Sequence, residues 1–177
     1  MIKRFLQKVF SKKTKAVLAI NPDAAITCIQ ARADAALLDG LVATATVVLD
    51  CTDNYATRHA INAACVRHTK PLVVGAAIRF DGQITVVDPR QMNAPCYACI
   101  FAPNAEFEEM QCATMGVFAP LVGIIGTMQA AEALKIASGM GSHLAGRLLM
   151  LDGRRMEWTD IRLPRHTACA VCGHRSH

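Results

Sequence analysis

Cys96-Tyr97-Ala98-Cys99 and Cys169-Ala170-Val171-Cys172 form two C-x-x-C pairs. Two thiolates at this spacing can face one side of a tight turn, so each pair supplies half of a tetrahedral metal site. Gly173, directly after the second pair, suits the left-handed turn that such loops often need. The four sulfurs are read as a closed site for structural zinc, with no open position for water and therefore no catalytic metal. Such a site would clip the C-terminal tail, residues 164–177, onto a loop of the same domain. Redox-active pairing is the competing reading, but neither pair opens a helix after a strand, as a thioredoxin-like site does. His174 and His177 could replace a thiolate, although four cysteines already complete the set.

A second candidate is the run Asp50-Cys51-Thr52-Asp53-Asn54. It follows TATVVLD, a β-branched stretch that reads as a buried strand. In open α/β sheets, ligands sit beyond the carboxyl ends of the strands, which places this loop well for chemistry. A carboxylate there could hold magnesium and a triphosphate, because magnesium commonly bridges one or two carboxylates and substrate phosphates. By position alone, the plainer reading is that Asp53 or Thr52 caps the next helix.

The elements that must position these residues follow from patterning. A basic, apolar-alternating first segment reads as a helix to about Ile20, ended by Asn21-Pro22-Asp23. AITCIQ reads as a short strand, followed by a helical stretch through Ala35, Ala36, Leu37 and Leu38 to Gly40. After TATVVLD, the segment TRHAINAACVRH reads as a helix with Ile61 and the alanines inward. PLVVGAAI and GQITVVD read as two more buried strands, paired through an Asp81-Gly82 turn. A long apolar helix through GVFAPLVGIIGTMQAA ends near Ser138-Gly139, and RLLMLDG and MEWTDIRL are the last strands. Strand, helix, strand in the first half implies a parallel sheet; the short adjacent strands later imply an antiparallel extension. Cys28, Cys51 and Cys65 lie in apolar runs and read as core residues.

A chain of 177 residues suits one domain, 1–177, with a substantial core. Apolar residues make up 53% and charged residues 19%, which excludes a disordered chain. The net charge of +5 is local: Lys3, Arg4, Lys8, Lys12, Lys13 and Lys15 all precede the first acidic residue, Asp23. The remainder is close to neutral, which argues against a nucleic-acid face. The basic start lacks the uninterrupted apolar run of a secretory signal. The segment from Met115 to Ala131 contains Pro120 and is short for a membrane span, so a buried helix is expected. The expected protein is soluble and cytoplasmic, and its eight cysteines are not expected to form disulfides.

DCTDN, then Thr57-Arg58 and Asn62, GAAIRFDGQITV, CYAC, Cys112 ahead of GVFAPLVGIIG, and CAVCG occur in one order. From Ile20 to Gly173 this order resembles the MoeB/ThiF/HesA family of ATP-dependent activating enzymes, relatives of the ubiquitin-activating enzymes. The resemblance implies a Rossmann-like, usually homodimeric protein that adenylates the C-terminal Gly-Gly of a small ubiquitin-like sulfur carrier. It implies that Asp53, with Asn54 beside it, serves the magnesium–ATP site, and that both C-x-x-C pairs hold structural zinc. Lys8, after a one-residue shift, is the nearest match to the family's ATP-contacting lysine; a solvated lysine on a basic helix is the alternative. Cys112 matches a family cysteine able to form a covalent link in sulfur transfer, or is an ordinary half-buried cysteine. Its place in a polar loop before the long helix suits an exposed, helix-activated thiol. Arg58 reads as a structural partner of the Asp53 loop rather than a catalytic cation.

The family's first strand, its G-x-G-G-x-G loop, its ribose-binding acidic residue and its N-L-x-R-Q stretch do not occur in this sequence. Gly116, Gly123 and Gly126 fall within the apolar helical run and make no phosphate loop. The expected fold is therefore a Rossmann-like α/β sheet lacking its first glycine-loop unit, with an antiparallel extension and a Cys₄ zinc site. A truncated or split adenylating enzyme, inactive as an isolated polypeptide, is the corresponding expectation, and its open sheet edge would favour dimerisation. AAIRF and FAPLVGIIG lean toward the molybdopterin-synthase type of carrier adenylyltransferase, and Trp158 toward the thiamine-thiazole type. A non-catalytic, zinc-stapled module that binds a carrier or partner subunit is the alternative from another class.

Overall fold

The structure, a computed structural model, describes residues 14–103 and 115–174. Lys8 and Cys112 therefore lie outside the described residues. The chain divides into two compact units, Met1–Arg32 and Ala33–His177.

In the first unit, residues 14–20 are helical. The helix stops where expected, at an Asn21 turn: the Asn21 side-chain oxygen accepts from the Asp23 N–H at 3.1 Å. AITCIQ forms no strand, and Cys28 is exposed. A lone β-prone segment has no ladder to join, so its propensity alone does not make a strand.

The second unit is a five-stranded sheet in chain order, β1-β2-β3-β4-β5, comprising Val48–Asp50, Leu72–Ile78, Asp81–Val87, Arg147–Asp152 and Glu157–Arg162. β1 and β2 are parallel, and the remaining neighbours are antiparallel. The parallel part expected from the sequence is thus one β-α-β unit, and the antiparallel extension is the larger part. Among the described residues it is accompanied by α1 (Ala35–Thr44), α2 (Tyr55–Arg67), the one-turn α3 (Tyr97–Ile100) and α4 (Ala119–Ala137).

β2 is buried on both faces, which explains its unbroken apolar run. Leu72 and Val74 point into a core with Leu38, Ile61 and Tyr97. Val73 points oppositely, into a core with Ile136 of α4. The β2–β3 hairpin pairs Ile78 with Asp81, so its turn is Arg79-Phe80 and not Asp81-Gly82. Arg79 takes the left-handed conformation that this tight connection requires (φ 51°). Gly82 lies inside β3 for a different reason: a Cβ there would sit 2.9 Å from the Ile125 side chain, so α4 closes directly on the hairpin.

Candidate functional site

β1 ends at Asp50, which is 1% exposed. Its Oδ1 accepts from the Thr52 backbone N–H at 2.8 Å and from the Thr52 hydroxyl at 2.7 Å. This Asx-type turn swings the chain out of the sheet and into α2. Asn54 is the actual cap of α2: it is extended, and its Oδ1 accepts from the Thr57 N–H at 2.8 Å. The cap therefore falls on Asn54 and not on Asp53 or Thr52. Asp53 is left exposed at the outer bend of the loop. Arg58, 8% exposed on the first turn of α2, donates to the Thr52 carbonyl and holds the loop from below, in keeping with the structural part read for it.

A cleft of about 280 Å³ opens beyond the C-terminal ends of β1 and β2. Thr52, Asp53 and Arg58 form one wall; Gly75, Ala76 and Ala77 form the floor; Val122, Ile125, Gly126 and Gln129 of α4 form the other wall. The small residues at 75–77 and 126 are what leave the space. Gln129 was not singled out by the sequence reading. It is 4% exposed, its Nε2 donates to the Asp50 carbonyl at 2.8 Å, and it ties α4 to the end of β1. A glutamine on the mostly apolar inner face of the helix was the signal that could have found it.

A larger groove of about 470 Å³ adjoins this cleft and shares Val117 with it. Arg79, Phe80, Phe118 and Arg154 line it. Phe80 and Phe118 stack at 5.2 Å, and the Arg154 guanidinium lies 5.0 Å above the Phe80 ring. The segment at Gly116–Phe118 is pinned to the hairpin turn by two backbone bonds through Arg79, of 2.9 and 2.7 Å. Gly116, expected inside the apolar helix, instead precedes it with φ 71°, and α4 begins at Ala119 with a proline in its first turn.

Sulfurs of Cys96, Cys99, Cys169 and Cys172 converge to within 4.8 Å of one another, a group able to hold a metal ion. The Cys96–Cys99, Cys96–Cys169 and Cys99–Cys172 separations are 3.9, 3.7 and 3.4 Å. Four sulfurs at tetrahedral positions about 2.3 Å from one ion would lie about 3.8 Å apart, so the donor set fits. Burial and then the neighbouring cysteines push the Cys96 thiol up. Burial also raises Cys172, but hydrogen bonds from Cys99 and Cys96 outweigh it and bring that thiol down to about 7. Gly173 seals the second pair: its N–H donates to the Cys169 carbonyl at 2.7 Å, and a Cβ there would lie 2.5 Å from that oxygen and from the Thr167 carbonyl. Arg165 secures the tail, donating to the Met92, Cys172 and Gly173 carbonyls.

The other cysteines among the described residues divide by exposure. Cys65 is fully buried, and burial, then the Asp50 carboxylate, push its thiol up to about 12, so it is an inert core residue. Cys51 and Cys28 are exposed, contrary to the core reading. No helix among the described residues is long and apolar enough to cross a membrane.

A carboxylate loop and a cleft lie at the carboxyl ends of a parallel strand pair, where open α/β sheets bind their ligands, and four cysteines able to hold a metal ion bring the tail to the same unit. The ThiF family model matches residues 7–171, and the chain belongs to the ThiF family. It is 45% identical over 154 residues to the sulfur carrier protein ThiS adenylyltransferase of Escherichia coli (strain K12), covering 87% of this chain and 60% of that protein. It is 44% identical over 161 residues to the molybdopterin-synthase adenylyltransferase of the same strain, covering 89% and 63%. The chain thus spans about three-fifths of the length of these relatives. Its fold is shared with the crystal structure of E. coli MccB at a TM-score of 0.71 and 18% identity, over 93% of this chain and 50% of that one.

Proposed function

We propose that this chain is the carrier-recognising and metal-holding part of a sulfur-carrier adenylyltransferase. The cleft walled by Thr52, Asp53 and Arg58 beyond β1 and β2 carries this reading, in a chain whose relatives include two carrier adenylyltransferases. The reaction is attack of the carrier's C-terminal glycine carboxylate on the α-phosphorus of ATP, with pyrophosphate leaving. That carboxylate is ionised near neutral pH, so no general base is needed. What the site must do is align the nucleophile and counter phosphate charge.

Asp53 and the adjoining Asn54 are assigned to the magnesium–ATP side of the cleft; bound magnesium supplies charge neutralisation on the phosphates. The exposed Asp53 carboxylate suits a ligand that arrives with its nucleotide, while Asn54 spends its oxygen on the helix cap and contributes through loop geometry. Arg58 keeps the loop in place. The Arg79–Arg154 groove, continuous with the cleft through Val117, suits an extended Gly-Gly tail, because it is open, lined by aromatic faces and leads to Asp53. Lys8 and Cys112 are assigned, from the family pattern alone, to ATP contact and covalent sulfur transfer. The four cysteines are assigned to structural zinc, the metal that a closed thiolate tetrahedron favours. A cytoplasmic homodimer is the expected setting.

The polypeptide contains no G-x-G-G-x-G phosphate loop. The assay therefore supplies that loop as well as testing the 177 residues by themselves. The AAIRF and FAPLVGIIG segments favour a molybdopterin-synthase carrier. Identities of 45% and 44% weigh the thiamine-type carrier equally, so the assay is run with both. ATP–pyrophosphate exchange is measured with each Gly-Gly carrier, with this chain alone and joined behind a relative's glycine-loop segment. Exchange with the segment present, and its loss on removing the carrier's last glycine, supports the proposal. Carrier binding without exchange in either form refutes it and leaves a non-catalytic binding module.

A further inference from the structure

The two sites described above are not separate. Tyr97 sits between the two cysteines of the first pair and is fully buried. Its backbone N–H donates to the side-chain oxygen of Asn62 at 2.9 Å, and Asn62 is itself fully buried in the middle of α2. Its ring meets His59 edge-on at 5.2 Å and Phe101 at 4.8 Å. One helical turn separates Asn62 from Arg58, whose guanidinium holds the Thr52 carbonyl, and Asn54 caps the same helix. The cysteine knuckle therefore grips α2 at its centre, while the N-terminal turn of α2 carries the carboxylate loop. A 13-residue helix is stiff over this distance, so displacement of its centre displaces the loop.

We propose that Tyr97 is a positioning residue, clamping α2 through Asn62 and His59, so that metal binding at the four cysteines stiffens the Asp50–Asn54 loop. The relevance to catalysis rests on the function proposed above; the mechanical link does not. Arg58, which holds the Thr52 carbonyl, also acts on the Tyr97 hydroxyl through charge and hydrogen bonding, but the contacts that tie Tyr97 to Asn62 and His59 are made by its backbone N–H and its ring. Phenylalanine at this position retains both, and leucine removes the ring contacts.

The test is amide hydrogen exchange on the full chain, with metal content measured alongside. The reporters are the Thr52 and Thr57 amides, whose partners are the Asp50 and Asn54 side chains. The β3–β4 ladder serves as the internal reference. Metal extraction is expected to speed exchange over 50–57 about tenfold while the ladder changes less than about twofold. Metal-loaded Tyr97→Leu is expected to show the same loosening, and Tyr97→Phe, which keeps the ring and the backbone N–H, to loosen the loop less than Tyr97→Leu. The proposal is overturned if extraction opens 164–174 and leaves 50–57 unchanged, or if loop and ladder open together. It is equally overturned if metal-loaded Tyr97→Leu keeps a wild-type loop. Should Tyr97→Leu lose the metal, Asn62→Leu, which removes the acceptor of the Tyr97 N–H and leaves the knuckle's own residues in place, is used instead, and an unchanged loop there overturns the proposal. Failure here leaves the adenylyltransferase proposal standing, since pyrophosphate exchange reads a different property.

Discussion

Replacing Gly75 with alanine tests whether Gln129 really locks the end of β1 to α4. A Cβ at position 75 would lie 2.3 Å from Gln129 Cδ and 2.4 Å from its Oε1. Nonbonded heavy atoms settle at about 3.5–4.0 Å, so the amide must retreat by roughly an ångström or more. An exposed glutamine would simply swing away, but this one is buried and bonded to the Asp50 carbonyl at 2.8 Å. Breaking that bond leaves a buried carbonyl unpaired, at about 1–3 kcal/mol. Alanine in place of a strand glycine returns about 0.5–1 kcal/mol. The net destabilisation of Gly75→Ala is therefore about 1 kcal/mol, or a fall of about 3 °C in Tm for a chain of this size. In a Gln129→Ala background the obstruction is gone, and the same substitution is expected to stabilise by about 0.5 kcal/mol or more. Denaturant unfolding of the four metal-loaded proteins gives the cycle. An equal cost of Gly75→Ala in both backgrounds would refute the packing argument.

Asn54→Ala removes the cap of α2 and is expected to cost about 1 kcal/mol by denaturant unfolding, whereas Asn54→Asp, which keeps an acceptor, costs little. Cys172→Ser is expected to abolish tight metal binding and make the tail near 164–174 protease-sensitive, read by metal analysis, which should give about one zinc per wild-type chain, and by limited proteolysis. Asp88 is buried; burial raises its carboxyl, but hydrogen bonds and charge from Arg90 outweigh this and hold it below the usual carboxylate value. Its contribution is therefore present above about pH 4 and is lost as pH falls through its lower folded value. Asp88→Asn should flatten the acid limb of the stability profile relative to wild type, and an unchanged acid limb contradicts this assignment.

The features legible in the sequence are those set by spacing or burial on both sides. Two C-x-x-C pairs name a four-sulfur site because three-residue spacing folds both sulfurs to one side of a turn, and the structure brings them together. The LVVGAAI run reads as a buried strand because β2 is covered on both faces. Features set by tertiary partners were less legible. AITCIQ has strand propensity but no neighbour in the ladder. TATVVLD yields only Val48–Asp50 as strand, because Thr44 closes α1. The hairpin turn falls on Arg79-Phe80 because register with β3 outranks the turn preference of Asp-Gly. Asn54 takes the cap that Asp53 could have taken, which leaves the acidic side chain exposed. Gln129 and Tyr97 act through partners 79 and 35 residues away, distances at which no local pattern speaks.

The central claim is that the Asp53 loop serves carrier adenylation. Its most direct test is ATP–pyrophosphate exchange by the chain joined to a glycine-loop segment, comparing wild type with Asp53→Asn in the presence of a Gly-Gly carrier. The account predicts carrier-dependent exchange that falls roughly 100-fold or more in the variant, with fold and metal content unchanged. Exchange that is indifferent to Asp53 would contradict it.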